Sequence, residues 1–490
     1  MYIGSQHLLQ AYDQALLKKG YTILELVDKA SDCLMKHMFH HNYVIFCGPG
    51  NNGADGLSLA CKLHQKNKNV TICTFPYAKV SRAHDYYYQC ALQQDINILE
   101  VTDEDFDLIV DALQKSDVVI DAMFGFGLNS SPRGLYQKVI RYLNQYYHHD
   151  VIAIDIPTGL KCNEGKPYET CLCATQTITL TAYKNGFLHP ESTFYTGEIF
   201  LEELDVCDIS DVVKLYEWAD ESVVSPIIKR RQYDGYKGTY GFAGLIVGSS
   251  HYKGAAMMAT KSSIYAGTGI THVITSTDAI RAINQFSPEA VTSQRPDAFD
   301  LQLVDNCHAL LIGCGLGLNE SALCWVEKVF TQTQQPLVVD ADALTLLSRH
   351  MDLLENQERD IILTPHLGEF QRLCPFDQED DVLELAHDFA KKYHVTLVLK
   401  GPHTIVCDQD NAYRVSTGNP AMAIGGMGDV LAGMCVSFLA QGYTALEAAL
   451  LAVYLHGYCG DLLAKDQYTV IPTQLIEKIP YAMDQLIKKK

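Results

Sequence analysis

Short apolar runs that end in glycine or a carboxylate recur along this chain, and stretches with helical spacing separate them. In the first half, Tyr43–Cys47, Val70–Phe75, Val118–Asp121, Val151–Asp155 and Thr177–Leu180 read as strands. Gly56–His64, Arg82–Gln93 and Gln137–Tyr146 read as the helices between them. A second series begins near residue 240. Its strands are Gly241–Val247, His272–Thr275, Ala309–Ile312, Pro336–Asp340, Ile361–Leu363 and Val395–Leu399; its helices include Gly254–Ala266, Ala423–Leu439 and Ala445–Leu463. Strands alternating with helices predict βαβ units and parallel sheets, hence an α/β protein. The charged segment Cys207–Arg231 lacks a glycine-ended strand and falls between the series, which places two domains at 1–210 and 222–490. Their motif orders differ, so neither is a copy of the other.

Composition agrees with two packed domains. A chain of 490 residues exceeds one ordinary core, and 48% hydrophobic with 20% charged residues suits a globular protein. A net charge of −20 disfavours nucleic acid as a partner, because Lys and Arg recruit a phosphate backbone. The basic runs Lys229–Arg231 and Lys488–Lys490 read as solvated surface. Sixteen scattered cysteines, several inside apolar patterns, fit free thiols in a reducing compartment, and Cys171 and Cys173 lack the spacing of a zinc or redox pair. The first residues lack a leader pattern and no apolar run is long enough to span a bilayer, so a cytoplasmic protein without a membrane partner is expected.

The most informative stretch is 415–434, VSTGNPAMAIGGMGDVLAGM. Glycines at 425, 426 and 428 precede Asp429 and a helical run. A glycine turn opening a helix offers free N–H groups and a positive dipole end to an anion, and Asp429 adds a carboxylate there. Phosphate beside a carboxylate is what phosphoryl transfer to a hydroxyl needs. Further motifs end predicted strands of the same domain, where open α/β sheets bind ligands. They are Lys237-Gly238-Thr239-Tyr240-Gly241, Gly313-Cys314-Gly315-Leu316-Gly317, Asp340-Ala341-Asp342-Ala343-Leu344, Thr364-Pro365-His366-Leu367-Gly368-Glu369 and Lys400-Gly401-Pro402-His403-Thr404. Asp342 and Glu369 also suit helix starts.

Together these motifs resemble the ADP/ATP-dependent NAD(P)H-hydrate dehydratases, ribokinase-like repair enzymes, over residues 222–488. The resemblance implies a three-layer ribokinase-like domain that returns the S form of hydrated NADH or NADPH to the dinucleotide at the expense of ADP or ATP. It implies nucleotide contact at Lys400, Gly401, Pro402, His403, Thr404 and Gly428, and hydrate contact at Ala256, Gly317, His366 and Asp429, with magnesium on the nucleotide phosphates. Leu367, Ala421 and Gly248-Ser249-Ser250 depart from the commoner family residues, all conservatively in size. Phosphorylation turns the C6 hydroxyl into a good leaving group, and Asp429 is placed to accept its proton.

In the first half, Gly48-Pro49-Gly50-Asn51-Asn52-Gly53-Ala54-Asp55-Gly56 follows a strand but lacks dinucleotide-fingerprint spacing. Strand ends also deliver Asp121 to Leu128 and Asp155 to Gly159. Asn52, Asp121 and Thr158 supply oxygen donors, which suits a hard cation, and no Cys or His joins them. These stretches resemble the NAD(P)H-hydrate epimerases, a Rossmann-like three-layer domain often fused ahead of the dehydratase, over residues 1–205. The resemblance implies potassium at Asn52, Asp121 and Thr158. It implies hydrate contact at Asn51, Asn52, Gly53, Ala54, Asp55, Gly125, Phe126, Gly127, Leu128, Asn129, Ser130, Ser131 and Asp155, with Asp155 catalytic. Ala54 replaces a usual glycine and Thr158 a usual serine. Lys184 resembles a family lysine near the site, and a surface lysine is the competing reading.

An epimerase feeding a dehydratase that takes one epimer would let both forms be repaired. The alternative is a small-alcohol kinase behind a noncatalytic binding module. The expected partners are small molecules, with a homo-oligomeric assembly.

Overall fold

The computed structural model describes residues 2–208, 213, 215–377 and 382–489. The expected end of the first domain at 210 lies outside them. The chain folds as two compact units, Met1–Tyr216 and Glu217–Lys490.

The first unit holds a seven-stranded sheet in the order Asn97–Glu100, Asn69–Thr74, Asn42–Cys47, Val118–Ala122, Asp150–Ile154, Gln176–Leu180, Glu198–Glu202. Every neighbouring pair is parallel. Successive side chains point to opposite faces, so Tyr43, Ile45 and Cys47 join one apolar layer and Val44 and Phe46 the other. Helices cover both, giving three layers. The chain first builds outward from Asn42–Cys47 on one side, then returns to place Val118–Ala122 on the other. Strand order therefore reverses between these two strands, and a crevice opens at their carboxyl ends. Asn97–Glu100 and Glu198–Glu202 are edge strands that the sequence reading did not foresee. They are only partly buried, so their apolar signal is weak.

The second unit repeats this logic with different connections. Its strand order is Val291–Gln294, Ile270–Thr275, Phe242–Ile246, Ala309–Ile312, Leu337–Val339, Ile361–Leu363, Thr396–Leu399, Ile405–Cys407, Ala412–Val415, Tyr216–Ala219. The first seven are parallel, and Ile405–Cys407 runs antiparallel to both its neighbours. Order reverses between Phe242–Ile246 and Ala309–Ile312. The segment expected to be an irregular linker contains the strand Tyr216–Ala219, which pairs in parallel with Ala412–Val415. The helix expected from Ala423 starts at Met427, after a short 3-10 turn over Pro420–Met422. Met427–Ala440 and Ala445–Ala464 are buried nearly all round, which explains their weak periodicity. No helix among the described residues is long and apolar enough to cross a membrane.

Candidate active sites

Most long helices here start on a side-chain cap: Ser81, Ser276, Asn319 and Thr444 each accept a first-turn N–H. Two do not. Asn51–Gln65 follows Gly50 and Met427–Ala440 follows Gly426, with no side-chain cap on either. Their first N–H groups stay free for an anion. Each starts at a strand end beside a cluster of carboxylates.

In the first unit a cleft of about 550 Å³ opens at the switch point. Of the residues expected to touch substrate, Asn51, Asn52, Asp55, Gly125, Phe126, Gly127, Leu128, Asn129 and Asp155 line it. Gly53, Ala54, Ser130 and Ser131 do not. Gly53 packs so tightly that an added Cβ would lie 1.8 Å from the Gly48 carbonyl oxygen. Ala54 is fully buried against Val27 and Ala83, a packing role. Ser130 is exposed away from the cleft lining, and the Ser131 hydroxyl accepts from the Thr170 amide at 3.2 Å.

Asp121 ends its strand fully buried. It accepts from the Thr158 amide at 2.8 Å, the Thr158 hydroxyl at 2.8 Å and the Met123 amide at 3.1 Å. Burial pushes its carboxyl up to about 6 against these hydrogen bonds. The Asn52 side chain lies against Gly125, and its buried Nδ2 has no partner. One carboxylate, one hydroxyl and one amide, with the Phe124 carbonyl 3.3 Å from the Thr158 hydroxyl, form an oxygen set that suits a monovalent cation.

Asp155 sits at φ 71°, a left-handed conformation costly for a residue with a side chain. Its amide donates to Ile178 and the next amide to Ile154, so the strand end is held in a tight turn. Lys184 is 1% exposed and forms an ion pair with Asp155. Its Nζ also donates to the carbonyls of Leu180 and Ala182 at 3.0 and 3.2 Å. The surface reading of Lys184 is thereby overturned. The sequence reading missed Asp13, which lines the same cleft.

In the second unit Asp340, Glu369, Lys400 and Asp429 converge. Lys400 Nζ lies 2.8 Å from Asp340 and 3.8 Å from Glu369. Burial opposes the ammonium, but these carboxylates outweigh it and hold its pKa above the usual lysine value. Lys400 Nζ is also 3.3 Å from where a Cβ on Gly428 would stand, so the two nucleotide motifs meet at one helix start. Asp340 further accepts from the Thr364 hydroxyl at 2.8 Å and the Cys314 thiol at 3.5 Å. Ligand atoms of Cys314, Asp340 and Asp429 lie within 4.8 Å of one another. Burial, then the Asp340 charge, push Asp429 up to about 6. Cys314, the buried thiol between these carboxylates, carried no signal in the sequence beyond its place in a glycine turn.

The other expected residues fall as follows. Gly401 is open, while the Thr404 hydroxyl closes the turn onto the Gly401 carbonyl at 3.2 Å. Pro402 lies between them, and the His403 ring packs 5.8 Å from Trp218, another residue the sequence reading passed over. The Gly317 amide donates to Asp342 at 2.8 Å, so Asp342 braces that turn. His366 is solvent-facing, and its Nδ1 caps the amides of Gly368 and Glu369. Glu369 returns a bond to the His366 amide at 2.8 Å, a reciprocal capping box. Ala256 is fully buried in contact range of Gly248.

Comparison with known proteins follows the same division. The family profile described as NAD(P)H-hydrate dehydratase matches residues 243–481, and that of the YjeF-related protein N-terminus matches residues 16–186. The bifunctional NAD(P)H-hydrate repair enzyme of Coxiella burnetii is 30% identical over 474 residues, 94% of each chain. A ribokinase-like superfamily protein from Enterococcus faecalis covers 55% of this chain and 96% of its own, with 33% identity and a TM-score of 0.52. The ADP/ATP-dependent NAD(P)H-hydrate dehydratase from Bacillus subtilis, co-crystallised with ATP and Mg2+, covers 55% of this chain and 99% of its own, with 30% identity and a TM-score of 0.50. The match over both units sets aside the reading of a small-alcohol kinase behind a noncatalytic module, and the chain belongs to the bifunctional NAD(P)H-hydrate repair enzymes.

Proposed function

We propose that the first unit interconverts the R and S forms of hydrated NADH and NADPH, and that the second dehydrates the S form using ADP or ATP. The observation that carries the second half is Asp429 at an uncapped helix start with Lys400 beside it. The free N–H groups and the lysine hold and neutralise the transferred phosphoryl group. Asp429 takes the proton of the C6 hydroxyl as it attacks. The ring-nitrogen lone pair then expels phosphate to give an iminium, and loss of a C5 proton to the departing phosphate leaves the reduced nicotinamide. Lys400 to Thr404 and Gly428 hold the nucleotide; Gly317, His366 and the start of the Ala256 helix border the hydrate.

Magnesium, when bound, screens the phosphate charges. Asp340 offers the hard oxygen donor that would hold it, the Cys314 thiol does not fit, and Asp429 is left for the proton. In the first unit, Asn52, Asp121 and Thr158 would hold potassium, whose charge would order the loops around the hydrate, and the free amides of Asn51–Gln65 take the hydrate's phosphate. The Asn52 side-chain oxygen, which lies against Gly125, and the buried Asp121 carboxylate support that site. A homo-oligomer in the cytoplasm completes the reading.

The test uses the whole chain with mixed hydrate epimers, reading the absorbance of the reduced nicotinamide. With ADP or ATP, both epimers are expected to be consumed fully. Exchanging potassium for a larger organic cation should leave R to its slow spontaneous conversion while S is still consumed. No return of absorbance with either nucleotide would sink the dehydratase reading, and R persisting in potassium would sink the epimerase reading.

A further inference from the structure

Helix Gln6–Lys18 presents Leu9, Asp13 and Leu17 to the epimerase cleft, four residues apart on one face. Asp13 is thus a lone carboxyl on an otherwise apolar wall. Its place is fixed by what precedes it. Strand Tyr2–Gly4 pairs in parallel with Tyr183–Lys184, with Gly4 opposite Lys184, and the helix starts directly after it. The ladder that seats Lys184 therefore also seats Asp13. The charged groups facing Asp13 are Asp155 and Lys184 across the cleft and Asp55 on the glycine-loop helix, with Tyr12 on its own helix.

Epimerisation at C6 asks for two proton-handling groups. Opening the ring removes a proton from the C6 hydroxyl and delivers one to the ring nitrogen. We propose that Asp13 is the second acid–base carboxyl of this cleft, working with Asp155; this rests on the epimerase reading of the first unit. The hydroxyl proton passes to the Asp155 carboxylate, and the O–H electron pair forms the C6 carbonyl. The C6–N1 bond breaks, its pair stays on nitrogen, and N1 takes the proton of the Asp13 carboxyl. Rotation about C5–C6 turns the other carbonyl face to nitrogen. N1 adds to it, returning a proton to Asp13, while Asp155 returns its proton to oxygen. Both carboxyls end as they began, and no other reactant is used.

The surroundings support this division. Asp155 is ion-paired to the buried Lys184 and lines the same cleft as Asp13. Burial, then the Asp155 charge, push Asp13 up to about 6, with Lys184 pulling the other way. The Asp13 side chain is exposed to the open cleft, so its proton exchanges with water. Burial, then the Asp155 and Asp13 charges, also push Asp55 well above the usual carboxylate range.

The test is Asp13→Asn in the full chain, with epimerisation of R-enriched hydrate measured above the spontaneous rate. The expected fall in kcat is about 100-fold or more, with KM nearly unchanged. Asp13→Glu should recover part of the rate, which guards against a folding defect. The parent rate should decline as pH rises past Asp13's titration, because the acid form is consumed, and the Asn variant should lack that limb. Dehydration of the S form should be unaffected. A variant within tenfold of the parent, a loss confined to KM, or a flat parent pH profile overturns the role. So does loss in Asp55→Asn with Asp13→Asn normal. A parent that does not accelerate epimerisation at all overturns the reading of the unit together with it.

Discussion

Replacing Asp429 with Asn is expected to slow dehydration of the S hydrate by about 10²–10⁴-fold while nucleotide affinity stays close to that of the parent. Asn keeps the size and polarity of the side chain but cannot accept the hydroxyl proton. In the proposed mechanism the phosphate is held by the helix amides and Lys400, which the substitution leaves in place. The pH profile separates this from a general disturbance. Asp429 is pushed up to about 6 by burial and then by Asp340. A base must be ionised, so the parent kcat/KM should rise with pH through that value and level off above it. The Asn variant should lose that limb. Steady-state rates across the range, with ADP affinity measured in parallel, check both points. Near-parent turnover would reduce Asp429 to a helix-start charge.

What the sequence made legible were strand ends. Runs such as Val118–Ala122 and Ala309–Ile312 are buried on both faces, so their apolar signal is continuous and the residues that break it are conspicuous. Asp121, Asp155 and Asp340 were visible for that reason. Less legible were residues whose role depends on a second element. Lys184 reads as an ordinary lysine until its strand is paired with Tyr2–Gly4 and its ammonium meets Asp155. Asp13 sits in a helix with several polar neighbours, and only the fold shows which face meets the cleft. Trp218 lies in a segment read as a linker, because the strand Tyr216–Ala219 is short and bounded by charge. Ala54 erred the other way. Its place in a glycine-rich loop suggested substrate contact, whereas the helix turns it inward onto Val27 and Ala83.

The Lys184–Asp155 pair carries the second large expectation. Lys184→Met should destabilise the first unit by about 3–5 kcal/mol, because it strands a nearly buried carboxylate. The same change removes one of two donors to each of the Leu180 and Ala182 carbonyls, which keep the Ala182 amide and the Thr179 hydroxyl. Epimerase activity should vanish with it. Removing both charges, as Asp155→Leu with Lys184→Met, should recover much of the stability and none of the activity. A buried pair replaced by apolar groups costs little, whereas a half-removed pair costs most. Recovery stays incomplete, since each of the two carbonyls has lost its lysine hydrogen bond. Denaturant unfolding of the full chain has two units to report on, so the transition of the first unit is the one to follow. The order of stability expected is parent, double variant, single variant. A single variant as stable as the parent would mean that the ion pair does not hold this strand end, and that the strained turn at Asp155 stands on its backbone bonds to Ile178 and Ile154 alone.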